Sequence, residues 1–339
     1  MARNALRDQY RSMTRNGFSG EKTVLSKAEI CEILHTLEEA LRGAIERVTE
    51  ENSGICPTYF YYEVPAVTQT SEGVLPLQLK RILLPLFLEG PTRWLRTKQP
   101  LSRKKDMVKA IRESGLYDAS LRMYKLNEPL DCVSREVGRI RAFAPGWLEN
   151  ESVWLHMEYK YFLSLLECGM YEAFFEAFST AAIAFLPPEQ YGRSTVENSS
   201  FLVSSANSDK QSHGRGFVSR LSGSTAELLS IWNTMAFGAH PFIHDGSNLY
   251  LQFLPVIPAY LLPASGVLTA TFLSEIQVFY HTAGLAVLIP GTYQIRNYQL
   301  LLKNGRTVTI ASCRVPSHWA EKIRTAEVRK IDVYIERVP

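Results

Sequence analysis

The run Trp147-Leu148-Glu149-Asn150-Glu151-Ser152-Val153-Trp154-Leu155-His156 gathers two carboxylates, an amide, two indoles and an imidazole at a loop-to-helix junction. Indole faces stack on the C–H surfaces of sugars, and carboxylates accept hydrogen bonds from hydroxyls. Such a mixture is what a carbohydrate pocket needs. The same residues also fit a plainer role, with the indoles in the core and Glu149 to Ser152 opening a helix, because indoles are usually mostly buried.

A second group is Arg220-Leu221-Ser222-Gly223-Ser224-Thr225-Ala226-Glu227. Hydroxyls and a glycine stand where a helix starts, and the N–H groups and dipole of a helix start attract phosphate. Gly223 would let an anion come close to the backbone. The alternative is an ordinary cap, with Ser224 and Glu227 forming a capping box. The G-x-x-x-x-G-K-[ST] pattern is absent, so this is not a P-loop. A third group, Tyr191 to Ser200, is a polar loop that fits either ligand binding or a network of Asx and Ser turns. His213, His240 and His244 lack the H-E-x-x-H arrangement, and Pro241 spoils a helix between the last two, so no metal is expected. The basic run Arg93 to Arg112 reads as a solvated face.

The elements around these groups follow from periodicity. Ser26 and Glu29 form a capping box, after which Ile30, Ile33, Leu34, Leu37, Leu41, Ile45 and Val48 recur at helical spacing. Asn52 to Pro65 reads as a loop rich in aromatics. Helices are predicted over Leu101–Glu113, from Pro129 towards Ile140, over 151–168 with Gly169 as the stop, over Tyr171–Phe185, and from Ser224 to Phe237 with Gly238 beyond. Past Asp245 the period falls to two, with strands over Asn248–Phe253, Val267–Tyr280, Tyr293–Lys303, Arg306–Arg314 and Lys330–Glu336. Asn304-Gly305 is a hairpin turn between two of them. The expected layout is a helical domain, 1–244, followed by a smaller β domain, 245–339.

Composition bounds the function. The 339 residues hold 37 Lys+Arg and 34 Asp+Glu, a net charge of +3, which excludes a strongly basic nucleic-acid binder and an acidic tail. Hydrophobic residues at 46% exclude wholesale disorder. The five cysteines, Cys31, Cys56, Cys132, Cys168 and Cys313, form no C-x-x-C pair, so free thiols in a reducing cytosol are expected. Met1 to Phe18 lacks the apolar stretch of a signal peptide, and no segment is long and apolar enough to cross a bilayer. A cytoplasmic protein is expected.

Ala144-Pro145-Gly146-Trp147 to Tyr161, taken with Tyr191-Gly192-Arg193-Ser194, Glu197-Asn198-Ser199-Ser200 and Arg220-Leu221-Ser222-Gly223-Ser224, resembles glycoside hydrolase family 94. These are inverting β-glycoside phosphorylases, including cellobiose, chitobiose and 1,2-β-oligoglucan phosphorylases, and the likeness is nearest to the oligoglucan type. It spans nearly the whole chain. The resemblance implies an α+β multidomain chain: the C-terminal part of an (α/α)6 barrel of the six-hairpin glycosidase kind, followed by a small β-sandwich domain. It implies phosphate binding by His156, Ser222 and Gly223, and sugar binding by Glu149. It implies no metal or organic cofactor, with inorganic phosphate as co-substrate. The partners implied are a β-glucan oligosaccharide, phosphate and the front half of the barrel, in cis or in trans, with a homodimer as a further option.

Two departures stand out. The family's glutamate-asparagine motif continues with two glycines, whereas Asn150 is followed by Glu151-Ser152. The general acid, an aspartate in an Asp-Trp-Asn-Asp-like motif, is expected upstream of Met1, and the front half of the barrel, a large N-terminal β domain and the family's other phosphate-binding group, an arginine, find no counterpart in these residues. No catalytic residue is therefore assigned within the chain. A barrel divided in this way would expose apolar helix faces and need a partner. The alternatives to a phosphorylase portion are a non-catalytic carbohydrate-binding remnant and a hydrolase of the same barrel fold.

Overall fold

The computed structural model describes residues 2–52, 54–71, 73–219 and 223–338. Spatial contacts divide the chain into Met1–Glu51 and Asn52–Pro339. The first unit holds α1 (Ala2–Thr14) and α2 (Lys27–Glu51). α2 opens as its sequence predicts. The Ser26 N–H donates to Glu29 Oε2 at 2.8 Å, and the Glu29 N–H donates to Ser26 Oγ at 3.2 Å, which is the reciprocal capping box.

The second unit begins with a two-stranded antiparallel ribbon, β1 (Phe60–Thr70) and β2 (Gly73–Leu83). A loop was expected over Asn52–Pro65, and its second half is strand instead. Phe60, Tyr61 and Tyr62 are strand-forming residues that pair with Leu83, Ile82 and Arg81. Pro65 obscures the pattern, and it falls where the register slips between Glu63 and Ala66, a place where a missing N–H is tolerated.

α3 (Glu89–Leu95) and α4 (Leu101–Glu113) follow, the latter with the predicted bounds, and then the short hairpin β3 (Tyr117–Asp118) and β4 (Met123–Tyr124). The helix expected from Pro129 to Ile140 does not form. Its place is taken by two 3-10 turns, Arg135–Val137 and Arg139–Ala142. Ser134 Oγ takes the Glu136 N–H at 3.2 Å, and Gly138 at φ +111° separates the turns. A hydroxyl competing for backbone donors and a left-handed glycine outweigh the helical spacing.

β5 (Val153–Trp154) runs directly into α5 (Leu155–Glu167), which is followed by α6 (Tyr171–Ala181) and α7 (Pro188–Tyr191). Gly169 at φ +76° ends α5, the left-handed stop expected there. β6 (Ser199–Leu202) pairs with β5 and with β7 (Gly216–Ser219). α8 (Gly223–Phe237) ends at Gly238, φ +86°. α5 is the buried helix of this region: Tyr159, Tyr161 and Phe162 are fully enclosed, and it packs along α8, α6 and α3.

The strand-rich end starts with the hairpin β8 (Phe242–His244) and β9 (Leu249–Leu251). A mixed five-stranded sheet follows, built from β10 (Val267–Phe272), β11 (Ile276–His281), β12 (Tyr293–Leu302), β13 (Thr307–Ile310) and β14 (Val328–Arg337). Its spatial order is β10-β11-β14-β12-β13. β14 lies parallel to β11 and antiparallel to β12. Gly305 at φ +85° makes the predicted β12–β13 turn. The crossover helix α9 (Ser317–Arg324) was not anticipated; it buries Ala320 and Ile323.

The chain is thus mixed α+β. The change of period near residue 245 falls inside the second unit. There the Tyr280 hydroxyl donates to the Ala236 carbonyl at 2.6 Å, and Phe237 packs against Phe272 and Phe253. No helix among the described residues is long and apolar enough to cross a membrane.

Candidate functional site

The expected site residues come from two stretches of sequence, and three of the four line one cavity. Glu149, His156 and Gly223 face a space of about 450 Å³, together with Arg139, Trp154 and Ser200. Ser222, the fourth, lies outside the described residues.

β5 and α5 set the position of His156. Trp154 is extended, at φ −90° and ψ 101°, and the chain turns helical at Leu155. His156 therefore stands in the first turn of α5. Gly223 is the first residue of α8, and the two helices bring these residues into contact. A Cβ built on Gly223 would lie 2.5 Å from His156 Nδ1, and closer still to Cε1 and Nε2. A side chain fits there only if the imidazole moves, so the glycine predicted for anion approach also makes room for the imidazole.

His156 Nε2 is 3.6 Å from Glu227 Oε1. Burial and the neighbouring Lys160 ammonium hold the imidazole below its ordinary pKa, and Glu227 opposes them only in part. At neutral pH the ring is therefore mostly uncharged. Glu227 does not serve the capping box suggested by sequence. Ser224 lies inside α8 with its hydroxyl 3.4 Å from the Ser199 carbonyl, and Glu227 faces His156 instead.

The aromatic wall of the cavity is a cross-strand ladder. Trp154 on β5 pairs with Phe201 on β6, and Phe201 pairs with Phe217 on β7. Their rings stack at 5.8 and 5.5 Å, and Trp147 lies on Phe217 at 3.9 Å with planes 5° apart. The two indoles thus part company: Trp154 faces the cavity, and Trp147 props the far end of the ladder.

Glu149 is held by Arg139, with Nη2 2.7 Å from Oε1. Its loop is tight. Trp147 and Asn150 exchange backbone hydrogen bonds at 3.1 and 3.2 Å, and Leu148 and Glu151 sit at φ +50° and +58°. The second value bears on the departure from the glycine-bearing motif. Glu151 occupies a left-handed position that favours glycine. It is held there by Lys125, whose Nζ lies 2.7 Å from Oε2 in a buried pair, and by Asn127 Oδ1, which accepts the Glu151 N–H at 3.0 Å.

The Tyr191–Ser200 loop resolves mainly into a turn network. The Tyr191 hydroxyl, fully buried, donates to the Glu197 carbonyl and accepts the Ser199 N–H at 2.9 Å, while Arg193 Nε donates to the Gly216 carbonyl at 2.9 Å. Ser200 alone of this loop reaches the cavity. His213 contacts the Asn207 carbonyl, and His244 accepts the Gly246 N–H. Among the described residues no group of three His, Cys, Asp or Glu side chains is placed to hold a metal ion.

No family model matches the chain, and no curated protein matches it.

A second cavity, missed by sequence reasoning, adjoins the first. It measures about 420 Å³ and shares Glu149 and Trp154 with it. Its other walls come from the base of the β1–β2 ribbon (Tyr59, Phe60, Tyr61), from Phe87, and from the 3-10 turns (Val137, Ile140). The aromatic run at 59–62 was the one visible signal of it.

Proposed function

We propose that the chain is the C-terminal portion of an inverting β-glycoside phosphorylase resembling glycoside hydrolase family 94, working in the cytoplasm on β-glucan oligosaccharides. The observation that carries this reading is the convergence of Glu149, His156 and Gly223 on one cavity. In the same reading α3 to α8 of the second unit are part of an (α/α)6 barrel, and the five-stranded sheet with its crossover helix is the small C-terminal β domain.

An inverting hydrolase needs an acid and a base to activate water. A phosphorylase needs only the acid, because phosphate is already an anionic nucleophile. The task of this chain is then to hold phosphate on the face of the sugar opposite the leaving group. The first residue of a helix keeps its N–H outside the intrahelical ladder, where it can meet an anion. Gly223 supplies that N–H, and His156 supplies one further donor as a neutral imidazole. Glu149, its carboxylate steadied by Arg139, accepts hydroxyl hydrogen bonds from the sugar. Phosphate oxygen attacks C1, the C1–O bond to the rest of the glucan breaks, and the departing oxygen takes its proton from an acid carried by the remaining part of the barrel. The products are an α-sugar-1-phosphate and a shortened glucan.

Apolar surface supports such a partner. Val67, Val74, Leu75, Leu77 and Leu79 of the ribbon are each more than half exposed.

The test is to incubate the chain with β-glucan oligosaccharides and inorganic phosphate, alone and with a polypeptide carrying the front half of the barrel, and to assay glucose-1-phosphate. Product that requires both polypeptides and phosphate, and is abolished by His156→Ala, is the expected result. Turnover without phosphate would mean a hydrolase. Sugar binding with no turnover in any combination would mean a binding protein.

A further inference from the structure

The cavity beside the His156 site is built unlike it. Phe87 and Leu126 are buried in its depths, at 5% and 6% exposure, while Tyr59 and Phe60 stand half-exposed at its mouth. Tyr59 meets Phe87 edge-on, centroids 5.0 Å apart. Two carboxylates reach it, and each already has a partner. Glu89 lies 3.4 Å from the Tyr59 hydroxyl and 3.5 Å from Arg93, and Glu149 is paired with Arg139.

A sugar ring placed here would exchange water for apolar walls on most of its hydroxyls, and each hydroxyl left unpartnered weakens binding. A planar apolar ring has no such cost and gains edge-to-face contacts. Space is ample, since an apolar cavity of about 150 Å³ already holds benzene. The shared wall of Glu149 and Trp154 places the two cavities side by side, within reach of a single two-part ligand.

We propose that this cavity binds an aromatic aglycone, so that the ligand class extends from glucans to aryl β-glycosides, with the aryl ring between Phe60, Phe87 and Ile140 and the glycosyl group beyond Trp154. The aryl half rests on this cavity alone; the glycosyl half rests on the sugar reading of the His156 site.

The experiment titrates the full chain with phenyl β-glucoside, methyl β-glucoside, phenol and inorganic phosphate. It follows indole fluorescence and the His156 ring resonances, and repeats the titrations on Phe60→Ala and Ile140→Asp. Phenyl β-glucoside is expected to bind about tenfold or more tighter than methyl β-glucoside, a difference the size of one well-placed aromatic contact plus its buried area. Both variants should lose that preference while keeping their melting temperature and any phosphate response. Equal affinity for the two glucosides, or an aryl preference that survives in both variants, would overturn the proposal. If a variant fails to fold, the comparison of glucosides on the unaltered chain still decides. Phenol and phenyl β-glucoside bound without any phosphate response would support the aryl site and sink the phosphate reading. Phosphate and methyl β-glucoside bound with no aryl preference would do the reverse.

Discussion

The imidazole of His156 rests directly on the Cα of Gly223, leaving no room for a Cβ between the first turn of α5 and the first residue of α8. Gly223 carries no unusual φ, so alanine there meets no backbone strain, and helix propensity alone would favour it by roughly 1 kcal/mol. Overpacking against a ring costs about 1–3 kcal/mol. Gly223→Ala is therefore expected to lower stability and to displace His156, with loss of any phosphate-induced shift in the His156 resonances. A more stable variant with His156 unmoved would show that the contact is loose.

The His156 titration should lie below that of an ordinary histidine, because burial and Lys160 disfavour its charged form. The folded state then binds fewer protons than the unfolded state between the lowered pKa and about 6.5. Stability from this group is present above that window and is lost as pH falls through it. Glu227→Gln should depress the titration further, and Lys160→Met should raise it. NMR titration of the ring protons checks both signs.

Glu158, two residues along α5, is fully buried with its pKa raised to about 8 by burial, and with only the Tyr124 N–H, at 2.8 Å, favouring its charged form. Here the folded state binds the extra proton, so stability falls as pH rises from about 4.5 to about 8. Glu158→Gln should flatten that slope, which amounts to a few kcal/mol at most, given about 1.4 kcal/mol per pKa unit. Urea unfolding at pH 5, 7 and 9 reads it directly.

The buried Lys125–Glu151 pair makes a different prediction. Lys125→Met strands a carboxylate at 5% exposure and is expected to cost about 3–5 kcal/mol. Adding Glu151→Gly removes the stranded charge and relieves the left-handed backbone at φ +58°. The double variant should therefore recover most of the loss in denaturant unfolding. Recovery of none of it would mean that packing around the Lys125 stem, not charge, sets the cost.

If the ribbon is normally covered, the isolated chain should self-associate as concentration rises. Leu75→Lys with Leu77→Lys should suppress this without shifting the melting temperature, since both side chains are more than half exposed. Light scattering across a dilution series is the measurement. A monomer at all concentrations would remove this support for a missing partner.

Local signals were readable where they needed no distant support. The Ser26–Glu29 box, the bounds of α4, the glycine stops at 169 and 238 and the Asn304-Gly305 turn each depend on a few adjacent residues. The β1–β2 ribbon was hidden because Pro65 interrupts its pattern and both of its faces are largely exposed, so no alternation marks a buried side. The helix from Pro129 was a false positive, since periodicity cannot show that Ser134 and Gly138 redirect the backbone. Within the site, His156 and Gly223 were legible as residue types at helix starts, and Glu149 as a carboxylate in the loop before one. The roles of Arg139, Lys125 and Glu227 were not, because each acts on a partner at least ten residues away in the chain or on an unexpected helix face.

The ribbon has one more consequence. Its strands are eleven residues long, β1 running Phe60–Thr70 and β2 Gly73–Leu83, a reach of roughly 35 Å at the usual rise per residue. Its root supplies Phe60 and Tyr61 to the aromatic cavity. A tilt of the ribbon about this root would therefore displace its far end much more than its base. Anything that grips the tip would in turn widen or pinch the space between Phe60 and Phe87.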